Sequence, residues 1–283
     1  MASEGCLQDI VCCIGQPVGG NPTQFMMERA FAAAGLDWRF LTLEVSPHNL
    51  GDAVRGMRAM RFRGASITLP HRVAVTQFLD GRSDVADLIG AVNCVYRLND
   101  QLIGENTDGK GFLQSLRAIT DPKGKRVVVF GAGGVARAIT AELALAGAAG
   151  FTVVNRTAER GQALVDLLNE RLKVPSQFIP WEAEYRIEEG TDIVIQATSI
   201  GLGDDAARVP LDVRSLQPPM LVADVTVNPG QTRLLIDAAD RGCQTLPGPS
   251  MLVHRGALDF KIWTGMDPDV GVLRDAMEEY LEL

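Results

Sequence analysis

The chain is short of the residues from which disulfide frameworks, metal clusters and membrane spans are made. Its five cysteines, Cys6, Cys12, Cys13, Cys94 and Cys243, are odd in number and include no C-x-x-C pair, which excludes a disulfide scaffold and a cysteine zinc site. They read as small apolar fillers. There are only three histidines, and no carboxylate or histidine group has ligand spacing, so no metal is expected. No run approaches the roughly 18 consecutive apolar residues of a membrane span. The start, Met1-Ala2-Ser3-Glu4, lacks a basic segment leading into an apolar one, so the expectation is a cytoplasmic protein with no membrane partner. Positive charge is in deficit, 27 Lys and Arg against 35 Asp and Glu, for a net charge of −8. That disfavours nucleic acid as a partner and leaves open an anionic metabolite held by a few local arginines.

What is present is a core. With 46% hydrophobic and 22% charged residues over 283 positions, the chain is long enough for about two globular domains. β-Branched runs alternate with helical stretches, the pattern of α/β architecture. A strand is expected at Ile10–Ile14, and a helix from about Thr23 to Ala34 stopped by Gly35. A strand near Phe40–Glu44, a helix from about His48 to Met60 and a strand at Ala65–Leu69 follow. Ala91–Tyr96 and Gln101–Gly104 flank a turn and read as a hairpin. After the polar link Asp121–Lys125 the spacing is regular: strand Arg126–Phe130, helix Val135–Ala146, strand Phe151–Asn155, helix Ala158–Leu172, and strands Asp192–Ala197 and Leu221–Val227. This spacing predicts a doubly wound parallel sheet. The pattern fails over 174–190 and 203–219, and helices at Met251–Thr264 and Pro268–Leu283 are expected to return to the first domain. The expected division is 1–107 plus 250–283 for a mixed, mostly parallel catalytic domain, and 108–249 for a Rossmann-type domain.

The sharpest local signal is Phe130-Gly131-Ala132-Gly133-Gly134-Val135-Ala136, a G-x-G-x-x-A run directly after a strand. Gly131 permits the tight turn, Gly133 lets a pyrophosphate approach backbone N–H groups, and Ala136 lets helix and strand pack closely. A ligand-free strand-to-helix turn is the competing reading of such a run. The next strand ends in Asn155-Arg156-Thr157, where an NAD site places an acid for the ribose diol. Arg156 and the Thr157 hydroxyl suit a 2′-phosphate instead, with Arg160 a turn further on. The expected cofactor is therefore NADP in preference to NAD, and a solvated helix face is the alternative for the two arginines.

With these motifs stand Ile14-Gly15-Gln16-Pro17, Gly64–Pro70, Gly90-Ala91-Val92-Asn93, Gly104–Gly109, Ala197–Gly201, Asp224-Val225 with Asn228-Pro229, and Met251-Leu252-Val253-His254. In order and spacing the set resembles the shikimate dehydrogenase family over nearly the whole chain. The resemblance implies NADP-dependent reduction of 3-dehydroshikimate in aromatic amino-acid (chorismate) biosynthesis, with the hydroxy-acid substrate between the two domains. It assigns Asp108 to catalysis, Asn93 and Thr68 to the substrate, and Thr198, Val225, Val227 and Gly248 to the cofactor side.

The agreement is uneven on the substrate side. Arg72 stands where the family has its catalytic lysine, and Asn21 and Thr23 where it has two serines for the substrate carboxylate. Ser66 replaces an asparagine, Val227 a tyrosine, and Arg255 a glutamine. Asp108 is the candidate for proton transfer, with a turn aspartate as its plain reading. Arg72 stays protonated and can only stabilise an alkoxide; its plain reading is a cation at the start of a helix opened by Pro70-His71-Arg72. Arg255, if it faces the substrate, needs a protein carboxylate or a substrate acid as acceptor. His71 and His254 read as structural. The expected activity is hydride transfer between NADP(H) and shikimate/3-dehydroshikimate or a related cyclic hydroxy acid. The alternatives are a quinate-like or other substrate, or a non-catalytic NADP-binding regulatory paralogue. Monomer and homodimer stay equally open.

Overall fold

A computed structural model describes residues 7–282; Cys6 and the first residues lie outside them. The chain divides into two compact units, 1–107 with 255–283, and 108–254.

The first unit opens with β1 (Asp9–Gly15), α1 (Thr23–Ala33), β2 (Trp38–Glu44) and α2 (Leu50–Ala59). It continues through β3 (Gly64–Ile67), β4 (Gly81–Arg82), α3 (Asp84–Ile89), β5 (Cys94–Leu98) and β6 (Gln101–Glu105). Gly35 takes φ +68 and ends α1 as expected. The sheet order is β2-β1-β3-β5-β6-β4, parallel except where β5 meets β3 and β6. Because side chains alternate between faces, the register decides what each face is made of. Cys12, Ile14, Ala65, Ile67 and Val95 face an apolar layer with Leu50, Val54 and Met57 of α2. Cys13, Ser66 and Cys94 are register partners on neighbouring strands and share the opposite face.

Two expectations need correction here. No helix begins at Pro70-His71-Arg72: turns lie at 69–70 and 72–73, and a short 3-10 helix follows only at Ala74–Phe78. The β-branched Val73, Val75 and Thr76 disfavour a longer helix. The hairpin's first strand begins at Cys94 rather than Ala91: the Val92 N–H goes to the Arg72 carbonyl in the preceding turn, and the sheet is entered only at Asn93, whose N–H reaches the Glu105 carbonyl and whose carbonyl accepts from the Ile67 N–H.

The second unit begins with α4 (Asp108–Arg117), then β7 (Arg126–Phe130), α5 (Gly134–Leu145), β8 (Gly150–Asn155), α6 (Ala158–Asp166) and β9 (Ser176–Pro180). β10 (Ile193–Gln196), β11 (Leu221–Asp224), α7 (Arg233–Asp240), β12 (Gln244–Leu246) and α8 (Gly248–Thr264) complete it, the division between units falling inside α8. The strands are all parallel in the order β9-β8-β7-β10-β11-β12, the doubly wound order of a dinucleotide-binding sheet. The segment that breaks periodicity, 174–190, holds the edge strand β9, whose half-exposed residues carry little hydrophobic pattern. The helix expected through Leu172 gives way after Asp166 to a π-helical turn at Leu167–Arg171. The strand expected through Val227 stops at Asp224, where the Asp224 carboxylate accepts from the Thr226 N–H and begins a turn.

α4 lies against α5 so closely that a Cβ on Gly109 would sit 2.2 Å from the Ala138 carbonyl oxygen. Backbone cannot yield as a side-chain tip can. Gly109→Ala should therefore destabilise the unit by about 1–3 kcal/mol despite alanine's better helix propensity. That corresponds to a fall in melting temperature of roughly 2–4 °C per kcal/mol, readable by thermal denaturation; an unchanged melting point would show that the two helices move apart at no cost.

The chain then returns to the first unit. The last turns of α8 and α9 (Val270–Leu281) pack there. Phe260 meets Phe31 at 5.6 Å between ring centroids, Trp263 donates to the Val95 carbonyl at 2.9 Å, and Tyr280 meets Phe25 at 6.0 Å.

Candidate functional site

The residues singled out from the sequence fall on both units, and each set is built differently. In the first unit they form a buried polar layer on the Cys13–Ser66–Cys94 face of the sheet. Arg255 and Asp259 come one turn apart on α8, the spacing at which side chains meet. Arg255 Nε donates to Asp259 Oδ2 at 3.4 Å, and its guanidinium also donates to Ser66 Oγ. The side chains are 9% and 0% exposed, so the pair is out of water. The acceptor that a buried Arg255 requires is thus a protein carboxylate.

Asp259 is satisfied on its other oxygen. Thr107 Oγ1 donates to Asp259 Oδ1 at 2.6 Å, and Asn93 Nδ2 donates to Thr107 Oγ1 at 2.9 Å, while Asn93 Oδ1 accepts the Thr107 N–H at 2.6 Å. Cys94 adds a thiol bond to Asp259, and burial followed by that carboxylate pushes the thiol well above its usual range. The donors form one directed chain, Asn93 to Thr107 to Asp259, in which every proton has an acceptor. Asn21 and Thr23 stand at the mouth of α1. Asn21 Oδ1 accepts the Thr23 N–H at 2.9 Å and Asn21 Nδ2 donates to the Cys13 sulfur at 3.1 Å. Thr23 Oγ1 is buried with no hydrogen-bond partner among the described residues, an uncommon state for a buried hydroxyl. Burial raises the Cys13 thiol, opposed first by the positive charge of Arg255. Thr68 follows β3 with its N–H on the Ile14 carbonyl at 3.0 Å. Arg72 is half-buried and donates from Nε to the Ile67 carbonyl at 3.3 Å. His71 is buried with Nε2 2.7 Å from the Val45 carbonyl oxygen, a structural contact.

In the second unit the glycine run leaves the carboxyl end of β7 and enters α5. Gly131 has φ +107, its N–H reaches the Val154 carbonyl at 2.9 Å, and a Cβ there would lie 2.7 Å from the Ala197 carbonyl oxygen. Gly133 and Gly134 are exposed and nothing stands within 4 Å of where their Cβ atoms would be. The open amino end of α5 beside β10 is the switch point of the sheet, where such folds take phosphate. Ala132 is buried, Val135 half-buried, and Ala136 fully buried against the strand. Thr198 follows β10, its N–H held by Gln196 Oε1 at 3.0 Å. Arg156, Thr157 and Arg160 are exposed just past the carboxyl end of β8, and Asn155 Nδ2 closes the turn on the Thr157 carbonyl at 2.8 Å. Neither arginine has an ion pair among the described residues. Val225 and Val227 are half-buried beyond β11, and Gly248 is buried at the start of α8. Asp224 beneath them is raised above the usual carboxylate range by burial, opposed by its bonds from Thr226 and Thr232. Asp108 is buried as the first residue of α4, where a helix amino end favours a carboxylate. Among the described residues no His, Cys, Asp and Glu group could hold a metal ion, and no helix is long and apolar enough to cross a membrane.

Asp259 and Thr107 were not among the residues picked from the sequence. The i, i+4 spacing of Arg255 and Asp259 on a helix was the available signal for the first. Thr107 lay inside the Gly104–Gly109 motif and was given no role, because its part depends on contacts far along the chain.

Comparisons with known proteins agree with this geometry. Residues 13–95 match the family model described as shikimate dehydrogenase substrate binding domain, and residues 114–226 match the one described as shikimate / quinate 5-dehydrogenase. The chain is 39% identical over 273 residues to a shikimate dehydrogenase (NADP(+)) of Moorella thermoacetica, covering 95% of this chain and 92% of the relative. Among solved structures it resembles the ligand-free 5-ketofructose reductase of Gluconobacter sp. strain CHM43, with TM-score 0.94 and 46% identity over 97% of this chain and 99% of that one. It also resembles a shikimate dehydrogenase in complex with NADP+, with TM-score 0.91 and 33% identity over 97% and 96% of the two chains.

Proposed function

The chain belongs to the shikimate dehydrogenase family, and from that premise we propose that it moves hydride between NADP(H) and the alcohol carbon of shikimate or of a related cyclic hydroxy acid. It is an NADP-dependent oxidoreductase acting on a CH–OH group. The observation that carries the reading is the open glycine turn at the switch point with Arg156 at the end of the neighbouring strand. The exposed Gly133 and Gly134 leave room for a pyrophosphate at the amino end of α5, and Arg156, Thr157 and Arg160 offer donors to a 2′-phosphate. When bound, NADP supplies the hydride acceptor. The residues of the chain handle the rest: Asp108 takes the proton of the alcohol O–H as the C=O bond forms, and Arg72 stabilises the developing oxyanion with a charge it cannot lose. Asn93, Thr68, Ser66, Asn21, Thr23 and Arg255 orient the ring. The four described cysteines are unpaired thiols, which suits the reducing cytoplasm in which we place the reaction.

A second substrate is a keto sugar of the kind named for the Gluconobacter reductase, which is 46% identical. The observation favouring it is Arg255, closed on Asp259. Steady-state rates with NADP over shikimate, quinate and fructose in one direction, and with NADPH over 3-dehydroshikimate and 5-ketofructose in the other, test both readings. No turnover on any of them would overturn the enzyme. A kcat/KM for shikimate above about 10⁴ M⁻¹s⁻¹, the low end for ordinary enzymes, would remove the second.

The cofactor assignment has its own expected outcome. Arg156→Ala should weaken NADP binding roughly tenfold or more, since a hydrogen bond to a charged group is worth about 1.5–3 kcal/mol, and should leave NAD nearly untouched. Fluorescence titration with both nucleotides measures it, and equal losses would rule out a 2′-phosphate contact.

A further inference from the structure

The helix that leaves the glycine turn carries a cation that the protein itself does not neutralise. Arg137 is the fourth residue of α5 and half-buried, and its Nε is shut away from solvent with no hydrogen-bond partner among the described residues. We propose that Arg137 is a pyrophosphate-binding residue: its guanidinium supplies the counter-charge for the two linked phosphates of the dinucleotide at the amino end of α5, and so serves NADP and NAD alike. The inference rests on the reading that the glycine turn holds the cofactor, and it deepens that reading by adding a charged ligand to a turn whose other donors are backbone N–H groups.

A guanidinium drawn out of water is costly unless an anion or an acceptor stands beside it. The one carboxylate of α5, Glu142, lies five positions further on, a spacing that puts it on another face of the helix. Its stem lies toward α4, where a Cβ on Gly109 would stand 2.7 Å from Glu142 Cγ. No ion pair joins Arg137 to a described carboxylate, and burial lowers its pKa from the ordinary value with no charged neighbour opposing the shift. Arg233 is the instructive contrast. Its Nε is also unpartnered, but the same guanidinium pairs with Asp237 at 2.7 Å.

The helix geometry says which anion Arg137 can meet. Side chains of a helix lean toward its amino end, and an arginine stem reaches about one turn, roughly 5.4 Å. That brings the guanidinium of the fourth residue level with Gly133 and Gly134, both exposed, with nothing within 4 Å of where their Cβ atoms would be. The Arg137 N–H closes the first turn on the Gly133 carbonyl at 3.0 Å, so the N–H groups of Gly134, Val135 and Ala136 have no acceptor within the helix. An anion seated there meets those donors, the helix dipole and the guanidinium together. The 2′-phosphate is served by Arg156 and Arg160 past the end of the neighbouring strand β8, which leaves the pyrophosphate as the anion for this helix.

The probes are NADPH, NADH and adenosine 2′-monophosphate, which has a 2′-phosphate and no pyrophosphate. Each is titrated calorimetrically into the native protein and into Arg137→Met, whose side chain keeps an unbranched stem and a helix propensity close to that of arginine. The variant should weaken NADPH and NADH by the same factor, about tenfold or more, and should change adenosine 2′-monophosphate less than about threefold. Tenfold corresponds to about 1.4 kcal/mol, within reach of one hydrogen bond to a charged group. Arg156→Ala gives the opposite pattern, losing NADPH and sparing NADH. The ligand-free variant should melt at the native temperature or above it, since it loses an unpaired cation and no bond, and Arg137→Lys should recover part of both dinucleotide affinities. The inference is overturned if Arg137→Met binds both dinucleotides as the native protein does, if NADPH alone is weakened, if adenosine 2′-monophosphate loses as much as the dinucleotides, or if the ligand-free variant melts well below the native protein. Failure of the cofactor reading looks different: the native protein itself then binds neither dinucleotide, and the inference falls with it.

Discussion

Asp108→Asn is expected to lower kcat by about 10²–10⁴-fold, the usual contribution of a positioned general acid or base, with the Kd for NADP within about threefold of the native value. An amide has nearly the same shape as a carboxylate and cannot take the alcohol's proton. The buried position at the head of α4 makes the comparison clean. Replacing a carboxylate by an amide at a helix amino end costs only a few tenths to about 1 kcal/mol of dipole interaction. Folding should therefore survive, and thermal melting run beside the kinetics checks it. Retention of near-native kcat in a well-folded variant would reduce Asp108 to a helix-start residue and move the proton transfer elsewhere. Arg72→Lys is the natural companion. Lysine keeps the charge and adds a group that can release a proton, so its activity should lie far above that of Asp108→Asn.

Arg255→Met carries the largest expected loss of stability. Methionine fills much of the volume, yet it strands the fully buried Asp259 without its cation, and removing one partner of a buried ion pair typically costs 3–5 kcal/mol. Ser66 Oγ loses its donor in the same step. The melting temperature should fall by roughly 2–4 °C for each kcal/mol. Arg255→Lys should lose much less, because an ammonium still neutralises the carboxylate even though it cannot span Asp259 and Ser66 as the planar guanidinium does. A loss under about 1 kcal/mol for Arg255→Met would mean that the other partners of Asp259, Thr107 and Cys94 among them, satisfy it without the guanidinium.

The local sequence carried most of the architecture. β-Branched runs and helical periodicity marked β1, β7, β8, β10, α1 and α5 closely, because each is a single element whose buried face repeats at its own period. The weakly patterned elements were harder. The strand β9 lies at a sheet edge, and the short α3, the two-residue β4 and α7 have too few turns or residues for a period to show. The cofactor half of the candidate site was legible for the same reason that the helices were: the glycine run and Asn155-Arg156-Thr157 are contiguous, and their chemistry follows from backbone freedom and charge at fixed offsets.

What the sequence determined by itself, then, is a two-part α/β chain with a dinucleotide turn, an arginine where an acid would read a ribose diol, and a set of altered residues on the other half. Only the tertiary structure decided what those altered residues amount to. Arg255 had two possible acceptors on paper, and the choice between them came from the return of α8 to the first sheet. That return sets Asp259 against Thr107, 152 residues away in the chain, and Arg255 against Ser66, 189 residues away. The charge of a buried arginine is fixed by its chemistry, but the field it projects depends on which counter-charge shares its low-dielectric surroundings. No local pattern encodes that, because it is a property of the packing between an early sheet and a late helix.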